Sequence, residues 1–249
     1  MIQIVKSAFM VIMSLCTIQF TSYAQFSDSV DHYINFSGTG NMNKTSTGTT
    51  YLLNNAFRFQ VDKKKLSLNS LVSYVYGRNP TNKTNDDLLS ILNVDFLKSV
   101  QKFYYWGLAG FEKSYSLKVD SRFQAGAGVG YVFVKNSKSN LELSDGFLVE
   151  TTDLSIPDIH GRSSYQAVRN SLRLKYRFVI KEMIRVEGSN FFQPSLSDSK
   201  DYILKLNTTV SFNLYKWFNL TTAFNYNRQN ITSTENLLLT YGLMFEKYF

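Results

Sequence analysis

Residues 168–178 read VRNSLRLKYRF. Taken alternately, Arg169, Ser171, Arg173, Lys175 and Arg177 fall on one side, and Val168, Leu172, Leu174, Tyr176 and Phe178 on the other. A period of two marks a β-strand whose faces meet different surroundings, because successive side chains point to opposite sides of the sheet. A one-residue slip would exchange the two sets completely, so the register is strongly specified. One side of this strand needs water or counter-charge, and the other must be covered by something apolar.

The same alternation recurs along the chain. Over 51–61, Tyr51, Leu53, Phe57, Phe59 and Val61 share a face opposite Asn54, Arg58 and Gln60; over 123–133, Phe123, Ala125, Ala127, Val129, Tyr131 and Phe133 oppose Arg122, Gln124 and three glycines. Stretches 66–76 and 202–214 behave alike, and the chain ends on Leu237, Leu239, Tyr241, Leu243, Phe245, Lys247 and Phe249 at every second position. These segments run to about 10–14 residues, whereas strands of soluble sheets centre on about 5–6. Tilted strands that cross a bilayer need about 9–11.

Strands are expected near 31–41, 50–61, 66–77, 87–97, 103–113, 121–134, 140–151, 164–179, 183–193, 202–214, 218–228 and 236–249. The gaps after even-numbered strands are short: DKKK, KSVQK, KNSKS, IKE and YKW. Most of the others are longer and polar: NMNKTSTGT, RNPTNKTND, TTDLSIPDIHGRS, QPSLSDSKD and RQNITSTE. Short turns at one end, long loops at the other and an even strand number are the pattern of an all-β, antiparallel transmembrane β-barrel of the outer-membrane type. About twelve strands are expected, the last pairing with the first so that no edge remains.

Composition agrees with strands. The chain has 16 Tyr and 20 Phe against 3 Pro, a balance that favours a pleated surface. Although the formal charge is +8, the basic residues are scattered and the longest run is in DKKK, so no nucleic-acid partner is expected. Residues 1–24 read as a signal peptide: Lys6, an apolar stretch from Ala8 to about Phe20, then Ser22-Tyr23-Ala24. The mature barrel is expected over 25–249. The single cysteine, Cys16, lies inside that leader, which removes disulfides, thiolate zinc sites and a cysteine nucleophile together. No cofactor or metal motif is present.

From Gln101 to Glu150 the chain combines Glu112-Lys113 after an aromatic strand, then Asp120-Ser121-Arg122, then Gly126-x-Gly128-x-Gly130-Tyr131, then LELSDG at 141–146. This middle section resembles the YdiY-like salt-induced outer-membrane proteins, a family of unknown function (domain of unknown function 481). The resemblance implies a β-barrel, an outer-membrane location and no assigned catalytic residue. A terminal Phe249 also resembles the C-terminal signal read by the barrel-assembly machinery, with Lys247 as a departure that could snorkel to the interface.

The candidate functional residues are those expected to line the lumen: Arg58, Arg122, Glu142, Glu150, Arg169, Arg173, Lys175, Arg177, Arg185, Glu187 and Lys205. Arg or Lys facing hydrocarbon costs about 2–4 kcal/mol at the midplane, so these charges must point inward if their strands span a membrane with lipids outside. Two readings stay open: a lumen filled by paired charges, or a polar pore with an anion preference. Gly126, Gly128 and Gly130 read as an inward stripe that lets the strand bend or a plug approach. In the loop SIPDIHGRSS, His160 with Asp158, Ser163 and Ser164 has the residue types of an outer-membrane lipid hydrolase or acyltransferase. An ordinary polar loop has the same composition, and no enzyme is expected.

Overall fold

The computed structural model describes residues 32–245, apart from 64, 97–101, 137, 182 and 216–217. The expected signal peptide and the terminal Phe249 lie outside the described residues. Thirteen antiparallel strands form one sheet: β1 (His32–Thr45), β2 (Gly48–Asp62), β3 (Leu66–Arg78), β4 (Lys83–Phe96), β5 (Phe103–Ser114), β6 (Val119–Lys135), β7 (Ser139–Leu154), β8 (Ser164–Asn170), β9 (Leu172–Ile180), β10 (Ile184–Pro194), β11 (Tyr202–Tyr215), β12 (Phe218–Gln229) and β13 (Thr234–Phe245). A single 3-10 turn, Asn230–Thr232, joins the last two. Each strand pairs with its chain neighbours, except that β8 and β9 both pair with β7 and not with each other.

The count of thirteen comes from one interruption. β8 and β9 lie end to end along β7 in a single register, Phe147 opposite Asn170 and Ser144 opposite Arg173. Between them the Ser171 amide donates to the Gly146 carbonyl at 2.8 Å. Twelve strand positions are therefore occupied, in the expected order. Among the described residues no ladder joins β1 to β13, so the sheet has two edges.

Three expected loops are shorter than the sequence suggested, the one between β12 and β13 being reduced to 230–233. Over 42–49, β1 and β2 continue almost to their turn, with Thr45 opposite Gly48. Gly48 has φ of 138°, a conformation that side chains other than hydrogen rarely allow. Between β3 and β4 the Asn79 side chain accepts from the Thr81 and Asn82 amides at 3.0 and 2.7 Å, closing a tight polar turn. Asn and Thr in these stretches were read as loop formers, but in a ladder they serve equally well as exposed strand residues. The long connections that remain are 155–163 and 195–201.

The two faces differ as the alternation requires. Phe123, Phe147, Val149 and Tyr241 are 58, 59, 60 and 82% exposed, all on the apolar parity. Arg122, Glu150, Thr152 and Arg169 are buried on the opposite parity. Hydrogen bonds from β5 and β6 to β11 and β12 run between side chains of this polar face, so the sheet rolls around it. Two apolar clusters share that inner side. Leu117, Val119, Leu154, Tyr165, Ala167 and Ile231 pack at the end where the longer connections lie. Tyr104, Trp106, Val132 and Leu148 pack further in.

Candidate functional site

The polar inner face holds a buried ion network. Arg169 makes a two-pronged contact with Glu150, Nε to Oε2 and Nη2 to Oε1, both 2.8 Å. Its Nη2 also donates to Asp201 at 2.9 Å, and its Nη1 to the Gln193 carbonyl at 3.3 Å. Arg122 donates through Nη1 to Glu112 at 2.9 Å, through Nε to Thr152 at 3.3 Å, and through Nη2 to Gln229. Lys205 donates to Glu112 at 3.0 Å. Gln124 adds a 2.6 Å bond to Glu150. Three cations (Arg122, Arg169, Lys205) thus meet three carboxylates (Glu112, Glu150, Asp201).

Strand geometry explains the assembly. Glu112 lies directly across from Arg122 on β5 and β6, and Arg122 across from Thr152 on β7. Arg169 is opposite Leu148, so it reaches Glu150 along the diagonal, a distance open to long side chains. A charge removed from water is stable only when paired and hydrogen-bonded, and the planar guanidinium suits two carboxylate oxygens at once.

The remaining candidates lie on the same parity but not in this network. Arg173 donates to Ser144 at 3.1 Å, with its guanidinium 5.9 Å from the Trp106 ring and 5.8 Å from Phe191. Lys175 and Arg177 are exposed, opposite Glu142 and Glu187 respectively. Glu142 is buried and accepts from Asn140 at 2.7 Å. Arg185 sits opposite Ser211, while Arg58 is exposed opposite Leu71. Glu112, Asp201 and Gln229 complete the network but were not expected. Glu112 could have been found as the inward residue opposite Arg122; Asp201 approaches from the 195–201 connection and Gln229 from the end of β12, a proximity no local pattern encodes.

The glycine stripe has a definite tenant. Any Cβ on Gly130 would run into the Tyr104 ring, and on Gly128 or Gly146 into Trp106. Two aromatic side chains of β5 lie over Gly128 and Gly130 of β6 and Gly146 of β7, so the stripe makes room for rings of its own chain. The Trp106 indole N–H donates to the Val129 carbonyl at 3.3 Å, which satisfies its polar atom.

In the loop, the His160 ring meets Asp198 at 2.8 Å, not Asp158. Asp158 accepts from the His160 and Arg162 amides at 2.8 and 2.9 Å and from the Arg162 side chain at 2.8 Å. Burial pushes the Asp158 carboxyl up, but these donors outweigh it and hold it below the usual carboxylate range. It therefore acts as the brace of a tight loop. Among the described residues no group of three or more His, Cys, Asp or Glu could hold a metal ion.

The side to which each strand residue points can be tested chemically. In a chain lacking Cys16, cysteines at positions 175 and 177 react with a water-soluble thiol reagent in detergent micelles, and those at 172 and 174 do not. Reaction at 172 and 174 with protection at 175 and 177 would show the wall reversed.

A rolled antiparallel sheet with an apolar outside and a charged, hydrogen-bonded inside defines an all-β protein of the meander type. Residues 38–241 match the model of a family described as "Protein of unknown function, DUF481", and the chain belongs to that family. A comparison with curated proteins finds no match.

Proposed function

We propose that this chain is an integral outer-membrane β-barrel without a catalytic role, a structural barrel or narrow small-solute pore with a polar, partly basic interior. The single observation that carries this is the outward face rich in exposed Phe, Leu, Val and Tyr, interrupted on β7 and β8 by the bonded pair Asp145 and Asn170, on strands of 12–17 residues backed by a buried ion network. In water such a surface would aggregate; in a bilayer it is the lipid-facing band. Closure follows from the same physics, because two long unpaired edges in hydrocarbon would leave backbone groups unsatisfied, and pairing β1 with β13 removes both. Delivery would use removal of residues 1–24, with the barrel-assembly machinery as a partner reading the strand that ends at Phe249.

Of the two interiors, the filled one has more support on the side of β5–β8. There Arg122 and Arg169 are paired with Glu112 and Glu150, and Tyr165 of the apolar cluster accepts from Arg169 at 3.3 Å. The experiment has two readouts. Purified protein from an outer-membrane fraction should migrate differently in gels before and after boiling, and should conduct only weakly in planar bilayers. A helix-dominated circular dichroism spectrum would end the barrel reading; large, steady conductance would replace the filled interior with an open pore.

A further inference from the structure

On the inner face of β9 the register distributes counter-charge unevenly. Lys175 lies opposite Glu142 of β7, and Arg177 opposite Glu187 of β10. Arg173, the most buried of the three, lies opposite Ser144 on one side and Phe191 on the other. Its Nε donates to the Ser144 hydroxyl, but its Nη2 is buried and meets no acceptor among the described residues. The surrounding carboxylates are engaged elsewhere: Glu112 by Arg122 and Lys205, Glu150 by Arg169 and Gln124, and Glu142 by Asn140 and Tyr104. Asp145 points outward to Asn170. Asp95 faces Trp106 from β4, whereas the indole leans the other way, over Gly128 and Gly146.

Two buried hydroxyls add donors to the same place. Ser144 already accepts from Arg173, and Ser171, two residues earlier on the same face, accepts from Gln193 at 3.2 Å. Each hydroxyl therefore keeps its own proton to donate, and both residues are only 3% exposed. The Trp106 and Phe191 rings flank the guanidinium at 5.9 and 5.8 Å. Ring faces offset only part of the cost of a buried charge that lacks a counter-ion. Their apolar bulk also strengthens its pull on any anion that arrives.

We propose that Arg173, Ser144 and Ser171 bind one small monovalent anion, chloride in ordinary salt solution. One uncompensated charge calls for a single negative charge, and a halide accepts from any direction, so donors on three side chains need share no plane. Lys175 and Arg177, exposed further along the same face, mark the approach from the end with the short turns. The site uses only the inner side of the rolled sheet, so it goes beyond the membrane reading and does not require it.

Trp106 stands beside the guanidinium and reports occupancy, because iodide quenches an indole at contact range. In W217F the only tryptophan left is Trp106. In micelles, iodide exchanged for gluconate at constant ionic strength should quench this protein along a saturating curve, and chloride should relieve the quenching competitively. R173M should raise the half-saturating iodide concentration about tenfold or more, the scale of one lost charge-assisted hydrogen bond. R177Q, which removes an exposed charge that salt screens, should leave it nearly unchanged. Strictly linear quenching in W217F would overturn the site, as would absence of relief by chloride. Neither result depends on how well R173M folds. Equal behaviour of R173M and R177Q would overturn it too, showing a diffuse field in place of a bound ion. The boiling-dependent gel shift of the same samples judges the barrel separately: saturable quenching without a shift would keep the site and remove the membrane reading.

Discussion

Replacing Arg169 with methionine destabilises the folded protein by about 3–5 kcal/mol, the usual cost of leaving buried charges without their partner. Arg169 is wholly buried and is the counter-ion shared by Glu150 and Asp201. Methionine fills much of the volume but leaves the Asp201 carboxylate without its cation, while Glu150 keeps Arg122 at 3.7 Å and Gln124 at 2.6 Å. The decisive comparison is the double variant R169M/D201N. Removing Asp201 with the base leaves Arg122 and Lys205 matched by Glu112 and Glu150, so much of the loss should return. Denaturant midpoints in micelles, followed by tryptophan fluorescence, measure both. A loss below about 1 kcal/mol for R169M, the range of exposed pairs, would show that the network contributes no more than a surface ion pair. A double variant as unstable as R169M would show that packing, not charge, was lost.

The second large effect lies in the glycine stripe, and its size depends on what each glycine touches. An alanine methyl at Gly126 would sit against the Phe147 carbonyl oxygen and 2.8 Å from the Leu148 Cα. Both are backbone atoms in the neighbouring strand, so only a shift of the ladder itself could relieve the clash. At Gly130 the obstruction is the Tyr104 ring, which is a side chain. Overpacking of a tight interior typically costs about 1–3 kcal/mol, occasionally more. G126A should therefore lie at or above the top of that range and G130A within it. In the double variant G130A/Y104A, alanine at 130 should cost almost nothing beyond Y104A alone, a coupling that double-mutant comparison isolates. No such relief is expected when L148A is added to G126A. Equal behaviour of the two glycines would contradict the close ring-on-backbone contact.

Much of this architecture is legible in the chain because a period of two is a strong local signal. The alternation over 168–178 placed Arg169 and Arg173 on one face and Leu172 and Leu174 on the other, and the sheet keeps that arrangement. Local patterns, however, carry no information on which inward charges meet. Glu142 and Glu187 were expected to share the work of neutralising the basic wall, and they do face Lys175 and Arg177 across the ladder. The buried cations chose Glu112, Glu150 and Asp201 instead, two of them unforeseen. Asp201 precedes a strand and looked like a loop residue; only the approach of the 195–201 connection to β8, where the Leu196 amide donates to the Val168 carbonyl, puts its carboxylate indoors. Polar stretches misled in the other direction. Asn and Thr over 42–49 were read as loop because their side chains favour turns, but where both faces of a strand meet solvent they need no burial to stay in a ladder.

The sequence distances spanned by the inner contacts set an order of events. Every ladder but β7–β9, which extends the β7–β8 hairpin in the same register, joins neighbours along the chain, so each hairpin can form by closing a short loop. The bonds across the interior do not: Arg122 to Gln229, Glu112 to Lys205, Ser116 to Asn236 and Leu117 to Thr234 link residues 93 to 120 positions apart. Loop-closure entropy must be met before such contacts give any return, which makes them slow and late. Three of these four bonds wait for the β12–β13 hairpin. Until it docks, the Arg122 guanidinium lacks its Gln229 partner, and the earlier strands make an incomplete interior. The β12–β13 hairpin thus acts as the keystone: the chain can begin its meander at once, but its centre acquires a fixed arrangement only when that hairpin docks.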